Sequence, residues 1–247
     1  MTRQDGESVV IVIPARYGST RLPGKPLLDI AGKPMIQHVY ERARLVRGVN
    51  AVVVATDDSR IESAVLAFGG SCLMTSAGHQ SGTDRLCEVM RMVHADLYIN
   101  LQGDEPLVRP TDIELLANLM IADPTSDVGT LCHEFSLEEA RDENAVKVVM
   151  SNEGDALYFS RSLIPYPRDG AFARYYKHSG VYAFRRRVLE VYGSMPQPMA
   201  EQAERLEQLR LLAAGFRIRM QVVPPIGTGV DTPACLERVR AILDPAV

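Results

Sequence analysis

Val9-Val10-Ile11-Val12-Ile13-Pro14-Ala15-Arg16-Tyr17-Gly18-Ser19-Thr20-Arg21-Leu22-Pro23-Gly24-Lys25-Pro26 decides the fold. Its first five residues form an unbroken β-branched run, as a strand buried on both faces requires. Polarity then changes abruptly, and a Gly- and Pro-rich loop runs from Pro14 to Pro34. Met35, Ile36, Val39, Tyr40 and Ala43 recur at helical spacing directly afterwards.

The same alternation continues outward. Ala51–Ala55, Cys72–Met74 and Leu97–Leu101 read as further buried strands. Ile61–Phe68, closed by Gly69-Gly70, and Leu86–Val93 read as helices, followed by one from Thr111, as N-cap, to Ile121. Repeated strand–helix order predicts an α/β fold with a mainly parallel sheet and helices on both faces. The second half is less regular. Asp127–His133, Ala145–Met150, Leu157–Ser160 and Gly180–Phe184 read as strands, and Leu163–Gly170 as a loop. Glu201–Ala214 reads as one helix, Arg217–Val223 as a strand and Thr232–Leu243 as the last helix. The expectation is a single domain, with a core over about 1–125, a mixed-sheet extension over about 126–215 and a return to the core over about 216–247.

The chain has 247 residues, enough to bury about three quarters of its extended surface. Its net charge of −4 argues against a general nucleic-acid binder. No apolar run is long enough to span a bilayer, and Met1–Ser8 lacks a signal-peptide core, so a cytoplasmic protein without membrane contact is expected. Cys72, Cys87, Cys132 and Cys235 show no CxxC spacing and read as ordinary reduced thiols.

In parallel α/β sheets, ligands bind beyond the carboxyl ends of the strands. Three cations, Arg16, Arg21 and Lys25, fall in the loop after the first strand, where they suit triphosphate oxygens. A solvated basic loop is the plainer reading of the same residues. No GK[ST] follows, so this is not a Walker A loop. The fourth strand ends at Gln102-Gly103-Asp104-Glu105-Pro106, which places a carboxylate at the same end of the sheet. Asp104 suits a hard divalent cation, which takes one or two carboxylates and completes its shell with phosphate and water. Glu105 is expected to point elsewhere or to cap the next helix. Asp231, in Gly227-Thr228-Gly229-Val230-Asp231-Thr232-Pro233, offers a second carboxylate but also fits a helix N-cap.

The stretch Ile13–Leu27 resembles the signature loop of the 3-deoxy-manno-octulosonate (Kdo) cytidylyltransferases, through its Tyr-Gly-Ser-Thr-Arg-Leu-Pro-Gly-Lys-Pro run. The likeness extends through Ala55-Thr56-Asp57-Asp58, His79–Leu86, Asn100–Pro106, Tyr158–Arg161, Lys177–Tyr182, Leu206–Arg210 and Gly229–Pro233. It implies a Rossmann-like nucleotidyltransferase fold, CTP and Kdo as substrates, Mg2+ as cofactor and a homodimer. By the same resemblance Pro14, Ala15, Arg16, Ser19, Arg21, Lys25, Ser81, Gly82, Arg85 and Asp104 would bind the nucleotide. Asp104 and Asp231 would hold the metal, and with Arg16 and Lys25 they form the expected catalytic set. Gln102, Arg161, Pro165, His178, Tyr182, Glu207 and Gln208 would bind the sugar. Ser81 and Thr83 equally suit a helix start. His38, His94 and His133 are expected to be structural. The chain carries Asp84 where this family usually has Glu, and Tyr166 where a Trp is common. A cytidylyltransferase for 8-amino-Kdo or sialate is the alternative reading. A retaining glycosyltransferase would show Asp-x-Asp after a strand, which Asp104-Glu105-Pro106 does not.

Overall fold

The computed structural model describes residues 6–18, 22–168, 174–227 and 229–244. The chain divides into two units, residues 1–114 with 227–247, and residues 115–226. Ser19 and Arg21, two of the expected nucleotide-binding residues, lie outside the described residues.

The first unit opens with strand β1 (Val9–Ala15). Its loop holds a 3-10 turn, Lys25–Leu27, and a short hairpin of β2 (Asp29–Ile30) and β3 (Lys33–Pro34). Then come α1 (Met35–Arg44), β4 (Ala51–Thr56), α2 (Ser59–Ala67), β5 (Cys72–Met74), α3 (Gly82–Met92), β6 (Leu97–Asn100) and the start of α4 (Pro110–Ala122), whose residues from 115 onward belong to the second unit. The order β6-β1-β4-β5 is parallel throughout, with Val10 opposite Ala51 and Val9 opposite Leu97. Val9, Ile11, Val12 and Ile13 are fully buried, so each contributes about 1.5–3 kcal/mol of apolar burial. Helix α1 packs on β1 and β4, and α3 on β1, β4 and β6. Helix α4 begins at Pro110, so Thr111 lies inside its first turn and is not the expected N-cap.

The second unit contains β7 (Val128–Phe135), α5 (Leu137–Ala140), β8 (Lys147–Met150), β9 (Ala156–Ser160), β10 (Tyr175–Arg185), α6 (Arg186–Tyr192), α7 (Met199–Glu204), α8 (Gln208–Ala213) and β11 (Ile218–Val222). Its sheet is mixed: β10 runs antiparallel to β7 and β8, β9 antiparallel to β8, and β11 parallel to β7. The single helix expected over Glu201–Ala214 is two helices. Arg205 breaks it by adopting φ 56°, ψ 45°, a left-handed conformation that non-glycine residues seldom take. Helix α6 had no counterpart in the sequence reading.

The chain then returns to the first unit with α9 (Pro233–Leu243). Leu236 and Val239 of α9 join Val230, Ile30 and Met35 in one apolar cluster, flanked by Leu22, Leu28 and Leu107. This cluster seats the C-terminal segment beside the loop that follows β1. Among the described residues no helix is long and apolar enough to cross a membrane.

Candidate active site

Lys25 opens the 3-10 turn after β1, in the register set by Gly24, whose φ of 67° favours a residue without Cβ. Its ammonium lies 2.5 Å from Asp104 Oδ2 and 3.2 Å from Asp231 Oδ1. Asp104 follows β6, and Asp231 precedes α9. The two segments are stitched together, because Val230 N–H donates to the Asp104 carbonyl at 2.9 Å. Thr232, not Asp231, is the N-cap of α9 and accepts from Cys235 N–H at 3.2 Å. Capping of α9 falls to Thr232, while the Asp231 carboxylate accepts from Lys25. Glu105 is not turned away from this segment: a Cβ on Gly229 would meet its Oε1 at 2.9 Å.

A second group of expected residues meets at the start of α3. A Cβ on Gly82 would lie 3.3 Å from Pro14 Cγ, 3.6 Å from Gln102 Nε2 and 3.7 Å from Asn100 Nδ2. The glycine thus keeps the helix start open beside the end of β1. Ser81 caps α3 and forms a reciprocal box with Asp84, both bonds being 3.2 Å. Its hydroxyl serves the helix, so the backbone is what this segment presents to a ligand. The departure from Glu to Asp at position 84 is absorbed by that box. Arg85 is only 4% exposed. It donates to Thr75 Oγ1 and pairs with Asp57 at 3.3 Å. Nothing local in the sequence signals the pairing of Asp57 with Arg85. Asp58 caps α2, its side chain accepting from Arg60 N–H. Arg16 is exposed, and Ala15 is buried as the last residue of β1.

The other expected sugar-binding residues lie in the second unit. His178, opposite Cys132, and Tyr182, opposite Thr130, lie on either side of a register shift in β10 between Ser179 and Tyr182. A bulge of this kind re-aims side chains, and here the His178 and Tyr182 rings stand 5.2 Å apart, with the Phe159 ring 5.0 Å from His178. Thr130 has one hydroxyl proton, and its 2.7 Å bond to Val181 O uses it. The hydroxyl therefore accepts from His178 Nε2–H at 3.1 Å, which leaves Nδ1 as an acceptor. Burial pushes the His178 pKa down to about 3, so the ring is neutral at physiological pH. Burial raises the Tyr182 phenol well above its ordinary value, and the charges of Glu207 and Tyr192 add to that shift.

Arg161 is held by its neighbours. Its Nε donates to Glu204 O at 2.8 Å and its Nη1 to Glu143 O at 3.2 Å. Glu204 also accepts from Arg161 N–H and from Ser160 Oγ. Glu207 accepts from Tyr192 Oη–H at 3.1 Å. Gln208 is 5% exposed, and its Nε2 has no hydrogen-bond partner among the described residues. A buried donor left unpaired costs about 1–3 kcal/mol, and a ligand oxygen would satisfy it. Pro165 follows a cis peptide bond in an exposed loop. His38 is structural as expected, donating from Nε2 to Ile30 O at 2.7 Å.

This geometry has known counterparts. Residues 10–218 match the family model described as Cytidylyltransferase. The chain is 64% identical to a 3-deoxy-manno-octulosonate cytidylyltransferase of Escherichia coli, over 95% of each. It is 48% identical to an 8-amino-3,8-dideoxy-manno-octulosonate cytidylyltransferase of Shewanella amazonensis, over 94% of this chain and 96% of that one. A solved structure of CMP:2-keto-3-deoxy-manno-octonic acid synthetase complexed with CTP superimposes with a TM-score of 0.95 at 62% identity. That match covers 97% of this chain and 100% of the other. Together with the parallel sheet and the two carboxylates gathered beyond its strands, these likenesses mean that the chain belongs to the cytidylyltransferase family, among its 3-deoxy-manno-octulosonate members.

Proposed function

We propose that this chain transfers the cytidylyl group of CTP to Kdo, giving CMP-Kdo and diphosphate. The observation that carries the reading is the shared cation site, with one ammonium gripped by Asp104 and Asp231 beside the loop after β1. The anomeric hydroxyl of the sugar attacks the α-phosphorus in line and gives up its proton to solvent. The new P–O bond forms as the bond to the β-phosphate oxygen breaks and diphosphate leaves. Such a transfer needs positioning and charge neutralisation more than a covalent intermediate. Arg16 and Lys25 offset charge on the departing diphosphate. Pro14, Ala15 and Gly82 bring backbone close to the nucleotide, and Arg85, held by Asp57 and Thr75, braces the same end of the sheet.

Magnesium fits the two carboxylates. Their oxygens already converge on one cation, and two carboxylates with phosphate and water are what this ion prefers. Among the described residues no three acidic, His or Cys side chains form a metal site, so substrate oxygens would complete the shell. Bound there, magnesium would supply Lewis-acid polarisation of the α-phosphate.

In the second unit, Arg161 suits the sugar carboxylate, while the His178 Nδ1 lone pair, Glu207 and Gln208 suit its hydroxyls. We infer a homodimer as well. Leu157, Tyr158, Met199 and Val222 of that unit are exposed apolar side chains that a second copy would cover. The product would feed lipopolysaccharide assembly in the cytoplasm.

The test is a diphosphate-release assay over four nucleoside triphosphates and a panel of acidic sugars, with and without chelator. The expected result is CTP- and Kdo-dependent turnover, abolished by EDTA and restored by magnesium. Preference for sialate or the 8-amino analogue would overturn the sugar assignment, and chelator-resistant turnover would overturn the metal. Sedimentation at assay concentration reads the oligomeric state, and a monomer would refute the dimer.

A further inference from the structure

The turn between α7 and α8 carries contacts that the transfer chemistry does not itself demand. Tyr192 ends α6 and is 1% exposed. Its hydroxyl reaches Glu207, and the Arg210 guanidinium stands over its ring, 4.9 Å from the centroid. Glu201 grips Arg210 through two bonds, of 2.9 and 2.5 Å. The side chains of that ion pair are 11% and 7% exposed. A pair this buried is a weak source of stability, because desolvation offsets most of its attraction. It is nevertheless a stiff link: it ties α8 to α7 across the left-handed Arg205 and fixes one face of the Tyr192 ring.

Glu207 stands at the N-cap position of α8, yet its side chain makes no capping bond. It takes a proton donor from Tyr192 instead. One oxygen of the carboxylate is thereby oriented by a charge-assisted bond, and the other keeps its lone pairs to accept.

We propose that Tyr192 is a positioning residue for the sugar acid: its hydroxyl, aimed by the buried Glu201–Arg210 pair, fixes the Glu207 carboxylate that accepts from a sugar hydroxyl. This rests on the assignment of Glu207 to the sugar, made above.

Tyr192→Phe removes the bond and keeps the ring. It should raise the KM for Kdo about five- to tenfold, the size of one such bond. The kcat, the KM for CTP and the melting temperature should stay near wild type. Glu207→Gln should raise the KM for Kdo further, and the double variant should be no worse than Glu207→Gln alone, as expected for two residues acting through one contact. A raised Kdo KM in Glu207→Gln with an unchanged one in Tyr192→Phe would refute the positioning role alone. An unchanged Kdo KM in Glu207→Gln would refute the assignment of Glu207 and the proposal with it. A Tyr192→Phe protein that loses melting temperature and affinity for both substrates together would show a merely structural side chain, which also overturns the proposal.

Discussion

The backbone N–H of Val230 donates to the carbonyl of Asp104 at 2.9 Å, so the two carboxylates that grip Lys25 are registered by main chain. Side-chain substitution at either carboxylate should leave that register intact. Asp104→Asn and Asp231→Asn should each lower kcat by about 10²–10⁴, or roughly 3–5 kcal/mol of transition-state stabilisation. Melting temperature should move little, because the exposed Asp231–Lys25 contact is worth under about 1 kcal/mol. Steady-state assays with CTP and Kdo, run beside thermal melts, check this. Wild-type turnover in both variants would exclude the shared metal site.

Gly229 tests the register directly. A Cβ there would meet Glu105 Oε1 at 2.9 Å and the Asp104 carbonyl at 3.3 Å. Glu105 can swing aside, but the carbonyl is backbone and can yield only if the two segments part. Gly229→Ala should therefore lower kcat/KM about tenfold or more through misplacement of Asp231. Circular dichroism should be unchanged. An unaltered kcat/KM would show that the segment tolerates more slack than these distances allow.

The first unit was legible because parallel strands buried on both faces read as continuous apolar runs. Strands β1, β4 and β6 begin and end within a residue or two of those runs. Lys25, Asp104 and Asp231 were legible because each lies in a Gly/Pro segment at a strand or helix end, and the resemblance to a known family joined them. The break at Arg205 had no such signal. No Gly or Pro marks it, and the turn is held by distant partners, as Glu204 bonds Ser160 and Arg161. The Asp57–Arg85 pair and the role argued for Tyr192 were hidden for the same reason. A lone Asp or Tyr carries no periodicity, and its partner is supplied only by tertiary structure.

His178 couples stability to pH. Its folded-state pKa is pushed down to about 3 by burial, against about 6.5 for the unfolded chain. Between these values the unfolded state binds more protons, so stability rises with pH across the window. The contribution is complete above about pH 6.5 and is lost as pH falls towards 3. From pH 7 to pH 5 this one group should cost about 2 kcal/mol. Urea unfolding at both pH values, for wild type and His178→Gln, measures it. The variant should show the smaller difference, and equal differences would mean that the ring is protonated in the folded protein.

The four thiols should separate by reactivity. Burial pushes Cys72 up to about 11, and Cys87 and Cys132 up to about 12. Cys235, in the first turn of α9, is brought down to about 7, chiefly by the Thr232 hydroxyl and then by the Arg238 guanidinium. Thiolate is the nucleophile, so alkylation by iodoacetamide should begin at Cys235 alone. Its rate should climb through pH 7 and level off above about pH 8. Arg238→Ala removes a donor to the sulfur at 3.2 Å and should move that midpoint upward, with the plateau rate nearly unchanged. Peptide mapping after a short pulse identifies the labelled site. Equal labelling of Cys72, or a midpoint near the ordinary thiol value, would mean that neither the Thr232 hydroxyl nor the Arg238 guanidinium stabilises the thiolate in solution.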